Sequence, residues 1–144
     1  MARGKDRVGV GLLGMGTIGG GVAQVLVQRA EHLANQTGCP LVLRRALVHD
    51  LTKPRSFDLT PGVLTDSVQD VVSDPGVDLV VEALGGEQPA AAYLEAALQA
   101  GKPVATANKE VMAKHGPRLL ALAREKGCEL CFEASVGGGL PVIA

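Results

Sequence analysis

The stretch Val8–Val22, VGVGLLGMGTIGGGV, decides the fold. Its first six residues, Val8–Leu13, form an apolar run of strand length, and glycines follow at once. Beyond the glycines, Val22, Val25, Leu26, Arg29, Ala30 and Leu33 recur at helical spacing with a mostly apolar stripe, which predicts one amphipathic helix. Between strand and helix lies Gly14-Met15-Gly16-Thr17-Ile18-Gly19, a G-x-G-x-x-G pattern. With 19 glycines in the chain the pattern alone is weak, but a strand before it and a helix after it give it meaning. Gly14 permits a tight turn, Gly16 lets the backbone approach a pyrophosphate, and Gly19 brings helix and strand together. The helix start then offers unpaired N–H groups to the anion. Three glycines at a helix start cost several tenths to about 1 kcal/mol each in propensity, so a bound diphosphate explains them better than an empty turn.

Outward from this unit, strands and helices alternate. Gly38 and Pro40 punctuate, and Leu41–Val48 reads as a second strand. His49–Thr65, with Pro54, Pro61 and Gly62, reads as a loop leading into a short third strand, and Asp74-Pro75-Gly76 as a turn. Val77–Leu84 is the clearest buried strand, and Pro89 and Gly101 bracket a helix in the preferred sense. Val104–Thr106 follows as a strand, with Asn108 placed to cap a short helix over Lys109–Lys114. Gly116-Pro117 is expected to restart a helix that Gly127 closes, and Glu129–Glu133 to form a last strand. Parallel neighbours need crossover connections, so the pattern predicts an α/β domain: a doubly wound, mostly parallel sheet of the Rossmann type that binds dinucleotides.

Composition narrows the function classes. The 144 residues suit one domain with a core of its own, 47% hydrophobic and 20% charged. A net charge of -1 and 2% aromatics provide neither a basic stripe nor stacking platforms, so no nucleic acid is expected as partner. No apolar run approaches the roughly 20 residues that span a bilayer. Arg3, Lys5 and Arg7 ahead of Val8–Leu13 mimic a signal peptide, but the apolar stretch is too brief and leads into the glycine loop. A cytoplasmic protein is expected, and three cysteines fit a reducing compartment. Cys128 and Cys131 form a C-x-x-C, which on a strand would point to opposite faces, and no second pair completes a metal site.

A second cofactor determinant is expected at the end of the second strand, which reads Val48-His49-Asp50, with Lys53 and Arg55 just after. Asp50 suits the ribose hydroxyls of NAD, whereas His49, Lys53 and Arg55 could surround the 2′-phosphate of NADP. The basic residues tilt the choice slightly toward NADP, with a solvated loop face as the alternative. Glu82 stands inside a buried strand as a functional group or a satisfied core carboxylate. His32 and His115 carry no partner pattern and are assigned to surface or core packing.

The stretches GLLGMGTIGGGV (Gly11–Val22), VHDLTKPR (Val48–Arg55), VVEALGGEQPA (Val80–Ala90), GKPVATANKEVMA (Gly101–Ala113) and FEASVGGGLPVIA (Phe132–Ala144) together resemble the homoserine dehydrogenase family, in the family's order. The resemblance implies NAD(P)-dependent interconversion of L-homoserine and L-aspartate 4-semialdehyde, on the route to threonine and methionine. It implies that Thr17 and Ile18 touch the cofactor beside Gly14, Gly16 and Gly19, with Leu84 and Gly85 on the nicotinamide side. Many members carry Arg where this chain has His49, a departure that bears on cofactor choice. Lys109, in the family's A-N-K motif, is the candidate catalytic residue, because a cation near the nicotinamide would stabilise charge developing on the aldehyde oxygen. In the first turn of a helix a lysine opposes the helix dipole by about 0.3–1 kcal/mol, a cost that points to another use.

The resemblance further implies a sodium site made by the Glu133 carboxylate and the carbonyls of Val136, Gly138 and Leu140, oxygen ligands suited to a hard cation. It divides the chain into a dinucleotide-binding domain, residues 1–134, and the start of a connection, 135–144, to a substrate and dimerisation domain beyond Ala144. Cofactor binding without substantial turnover is therefore expected of this chain alone. The full-length protein is expected to take a small amino acid as substrate and to form a homodimer or larger assembly. Leu140, Val142 and Ile143 would then need cover. The alternatives are an NAD(H)-sensing module without catalysis and a related semialdehyde or dihydrodipicolinate-type reductase.

Overall fold

A computed structural model of the chain describes residues 5–133. The elements in chain order are β1 (Val8–Leu13), α1 (Thr17–Gln28), α2 (Ala30–Thr37), β2 (Leu41–Leu47), β3 (Leu64–Thr65), α3 (Val68–Val72), β4 (Leu79–Glu82), α4 (Ala90–Gln99), β5 (Val104–Thr106), α5 (Lys109–Lys126) and β6 (Leu130–Cys131). The strands form one sheet in the order β3-β2-β1-β4-β5-β6, and every pairing is parallel. The expected doubly wound sheet is present, and among the described residues it is wholly rather than mostly parallel.

The two faces of the sheet carry separate cores, as the alternation along β1 requires. Val10 and Leu12 pack with Ala23 and Leu26 of α1 and Leu43 and Ala46 of β2. Leu13 packs on the other side with Val80, Leu94, Leu98, Val104, Val111 and Leu119. Leu12, Leu13, Leu94, Leu98 and Leu119 are fully buried, each worth about 1.5–3 kcal/mol relative to exposure. Glycine admits one close approach here: a Cβ on Gly9 of β1 would lie 1.8 Å from the Gly76 carbonyl oxygen.

Several expected elements are redrawn. The single helix expected through Leu33 is two, α1 and α2, hinged at Arg29 (φ -118, ψ 29). The two helices expected around Gly116-Pro117 are one, α5, with Pro117 inside it. The five-residue helix α3 was not expected. β4 starts at Leu79, not Val77, because the Val77 N–H turns back to the Asp74 carbonyl at 3.0 Å. In the C-x-x-C only Cys131 lies on a strand, with Cys128 in the turn after α5. Burial pushes the Cys128 thiol pKa up, away from the thiolate a metal would need.

Because β1 pairs with β2 on one side and β4 on the other, the chain leaves its carboxyl end toward α1 where the winding reverses. In open α/β sheets ligands bind in the crevice at this reversal.

Candidate functional site

The glycine loop spans that crevice. The Gly14 N–H donates to the Leu47 carbonyl at 3.0 Å, which ties the turn to the end of β2, and its φ of +95 is a conformation glycine adopts without strain. Gly16 is the N-cap of α1, with no side chain capping the helix and no acid in its first turn. The first amides of α1 are thus free of competing side-chain acceptors. An added Cβ would lie 1.9 Å from the Gly14 carbonyl oxygen at Gly19, but would meet nothing within 4 Å at Gly16. Gly19 is therefore required by the fold, whereas the room above Gly16 is left for something else.

Two clefts meet at Gly16. The larger, about 530 Å³, runs over Gly14, Met15 and Gly16 to the end of β2, and His49, Asp50, Lys53 and Arg55 all line it. The smaller, about 250 Å³, is lined by Thr17, Ile18, Leu84, Gly85 and Ala107. All the predicted cofactor residues except Gly19, which packs against the Gly14 carbonyl, and Lys109 thus lie on these two walls. Sequence reasoning missed Asp66, just after β3, and Tyr93 on α4, which also line the larger cleft. Topology alone brings them there, and no local motif marks them.

At the rim, the Asp50 carboxylate accepts from the Thr52 hydroxyl at 2.7 Å and the Thr52 N–H at 2.8 Å. These bonds hold its pKa below the ordinary aspartate value, with smaller help from Arg55 and His49. Arg55 donates through Nη2 to the Asp50 carbonyl at 3.0 Å. Its Nε is buried and has no hydrogen-bond partner.

Glu82 ends β4 and is fully buried. Its Oε1 accepts from the Leu84 N–H at 2.8 Å and the Gly85 N–H at 3.3 Å. Asn108 Nδ2 reaches the same oxygen at 3.4 Å, and the Thr106 hydroxyl donates to Oε2. Asn108 also donates through Nδ2 to the Gly86 carbonyl at 2.6 Å, while its Oδ1 caps α5 by accepting from the Val111 N–H at 3.1 Å. Both carboxylate oxygens of Glu82 thus have donors, as a core carboxylate requires, and the residue also lines the smaller cleft.

Lys109 opens α5 as expected and is exposed. It lines neither of the two clefts. It stands on a third, about 350 Å³, with Met112, Ala113, Gly116, Pro117, Leu120 and Phe132. Ala107, two residues earlier, is the nearest residue in sequence that lines the smaller cleft. His115, assigned to packing, also has a polar partner that no sequence pattern marks: its Nε2 lies 2.9 Å from Glu87 Oε1. Lys114 bonds Glu87 Oε2 at 2.8 Å, and Lys114 first and His115 second lower the Glu87 pKa. A partner 28 residues away leaves no periodic trace.

Of the predicted cation ligands, Glu133 is exposed, and Val136, Gly138 and Leu140 lie outside the described residues. Among the described residues no group of three His, Cys, Asp or Glu could hold a metal, and no helix is long and apolar enough to cross a membrane.

Comparison with known proteins agrees with this geometry. A family model for the NAD-binding domain of homoserine dehydrogenase matches residues 14–133. A homoserine dehydrogenase of Bacillus subtilis is 48% identical over 134 residues, 93% of this chain and 31% of that protein. A crystal structure of homoserine dehydrogenase from Thiobacillus denitrificans superposes with a TM-score of 0.84 at 43% identity, covering 94% of this chain and 31% of that one. The Staphylococcus aureus enzyme at pH 7.5 gives 0.82 at 36% identity, over 92% and 34%. The chain spans about a third of the length of the relatives it matches.

Proposed function

We propose, from the premise that this chain belongs to the homoserine dehydrogenase family through its NAD-binding domain, that it holds the cofactor for interconversion of L-homoserine and L-aspartate 4-semialdehyde by a longer protein. The observation that carries the reading is Gly16: a bare helix start with open space above it, between two clefts at the reversal of the sheet. A diphosphate there would take the first amides of α1, directing the adenosine half toward His49 and Asp50 and the nicotinamide half toward Thr17, Ile18, Leu84 and Gly85. The dinucleotide, when bound, supplies or accepts the hydride. The chain's part is to orient it and to keep the smaller cleft lined by apolar Ile18, Leu84 and Ala107 beside the reacting carbon.

NADP is the proposed preference. Lys53 and Arg55 stand at the ribose end, and the buried Arg55 Nε is a donor without an acceptor, which an incoming phosphate oxygen would satisfy. Lys109 is proposed to stabilise negative charge on the substrate oxygen, from the mouth of the neighbouring cleft.

Calorimetric titration tests the reading. NADPH should bind the chain with a measurable enthalpy and more tightly than NADH. Arg55→Ala should narrow the difference by about tenfold, the worth of one charge-assisted bond. Homoserine-dependent reduction of NADP should be absent from the chain alone and present in the full-length enzyme. No heat with either cofactor would overturn the cofactor reading; heat with NADPH but a full-length enzyme inert toward homoserine would turn it toward a nucleotide sensor.

A further inference from the structure

A central strand of a parallel sheet, covered on both faces, ordinarily reads as unbroken hydrophobics. β4 obeys this at Leu79, Val80 and Val81 and breaks it at Glu82, which is fully buried. Core packing alone would not call for a carboxylate, because a fully apolar set in place of a buried polar network is often as stable, whereas Glu82 comes with a complete set of donors. The carboxylate's donors are instead concentrated at the carboxyl edge of the sheet, around the smaller cleft.

Each donor belongs to a segment that would face the cofactor or substrate. Leu84 and Gly85 form the cleft wall, and Gly85 and Gly86 both have positive φ, +75 and +72. Two successive residues in this conformation have no helix or ladder to hold them, and the Glu82 Oε1 bonds fix the loop from beneath. Thr106 is the register partner of Glu82 across β4 and β5. Its Oγ1 passes the connection on by accepting the Asn108 N–H at 3.0 Å. Asn108 closes the circuit, capping the helix that begins with Lys109 while gripping the Gly86 carbonyl. One buried carboxylate thus joins the loop after β4 to the start of α5.

We propose that Glu82 is a positioning residue for the nicotinamide half of the cofactor, holding the Leu84–Gly86 wall in register with the first turn of α5. The role rests on the cofactor reading above. Glutamate suits it in length: the carboxylate must reach its own following loop and the neighbouring strand together, and aspartate is one methylene too short. Glutamine keeps an oxygen for the Leu84 and Gly85 amides, and the Thr106 hydroxyl can turn to accept from its amide nitrogen.

The test compares NADPH with 2′-phospho-ADP-ribose, which lacks the nicotinamide, on wild type, Glu82→Asp and Glu82→Gln, read by calorimetry and by the fluorescence of bound NADPH. Glu82→Asp should weaken NADPH about tenfold and abolish its fluorescence enhancement, leave the fragment within about twofold of wild type, and Glu82→Gln should restore both readings. Equal losses for NADPH and fragment would reduce Glu82 to a general structural role and overturn the proposal, as would unchanged NADPH binding. If Glu82→Asp does not fold, Thr106→Val removes one donor: a loss of about threefold for NADPH alone supports the proposal, and no loss, or an equal loss for the fragment, overturns it. Wild type that binds neither ligand would sink the cofactor reading itself, a result distinct from failure of the Glu82 role.

Discussion

At Gly16 and Gly19 the same amino acid answers two different demands. Gly19 has a backbone oxygen 1.9 Å from where a Cβ would sit, so Gly19→Ala should lower stability by about 1–3 kcal/mol, measured by denaturant unfolding, with binding lost as a consequence. Gly16 has open space and is an uncapped helix start. Gly16→Ser should therefore leave the thermal midpoint unchanged or higher, since serine is a good N-cap. It should also weaken dinucleotide binding by about tenfold or more, because the hydroxyl takes both the room and the amides. A Gly16→Ser protein that binds as well as wild type would show that the loop does not hold the diphosphate. The three glycine roles were legible because each is a local demand of one turn. The distant partners of Glu82 and His115 were not: they lie 24 to 28 residues away and depend on which elements become neighbours.

At the scale of elements, periodicity in α1 and α2 and boundary residues around α4 and α5 located each helix of eight or more residues among the described residues, but continuity was misjudged. α1 and α2 share one apolar stripe, and the hydrogen-bond ladder crosses the hinge: Arg29 donates to Val25 at 2.9 Å and accepts from Leu33 at 3.0 Å. Only one residue leaves the helical conformation, too small a change to disturb the pattern. α5 shows the opposite error. Pro117 argued for a break, since proline removes a donor and crowds the carbonyl four residues earlier. Packing overrode it, because Val111, Leu119 and Ala123 lie buried on both sides of the proline and align only if the helix runs through. Pro117→Ala should thus restore the bond to the Ala113 carbonyl and stabilise the chain by about 1–2 kcal/mol, after allowing for the freer unfolded chain. A lowered midpoint in thermal unfolding would mean that neighbouring packing is built around the proline.

For the molecule as a whole, charge is gathered at the sheet edge opposite the clefts. Asp74, buried in the turn before β4, accepts from Arg44 at 3.1 Å and Arg45 at 2.8 Å, both on β2, while Lys102 bonds the Asp74 and Val77 carbonyls. Burial pushes the Asp74 pKa up, but the Gly76 N–H and then the two arginines outweigh it and hold it below the ordinary 3.8. A depressed native pKa contributes stability that is fully present above 3.8 and is lost as pH falls through the lower native value. The Asp74 contribution to the thermal midpoint should accordingly hold steady above 3.8 and decline as pH falls from there through the native value, and Asp74→Asn should be less stable at neutral pH and show a shallower acid slope. An unchanged acid slope would remove Asp74 from the account. The sequence carried the layer architecture, since alternation of apolar runs with helical stripes forces crossovers. It did not carry this charge cluster, which forms only when β2 and the turn before β4 come together. The strand order has one more consequence, for how the chain assembles during synthesis. β1 lies in the middle of the sheet, yet Val8 pairs with Leu41 and Val10 with Leu79. β1 is made before both of its neighbours and therefore waits for partners made much later, with no hairpin to shelter it. Its VGVGLL flank stays bare until Leu79–Glu82 emerge, so the nascent chain is most vulnerable to self-association in that interval.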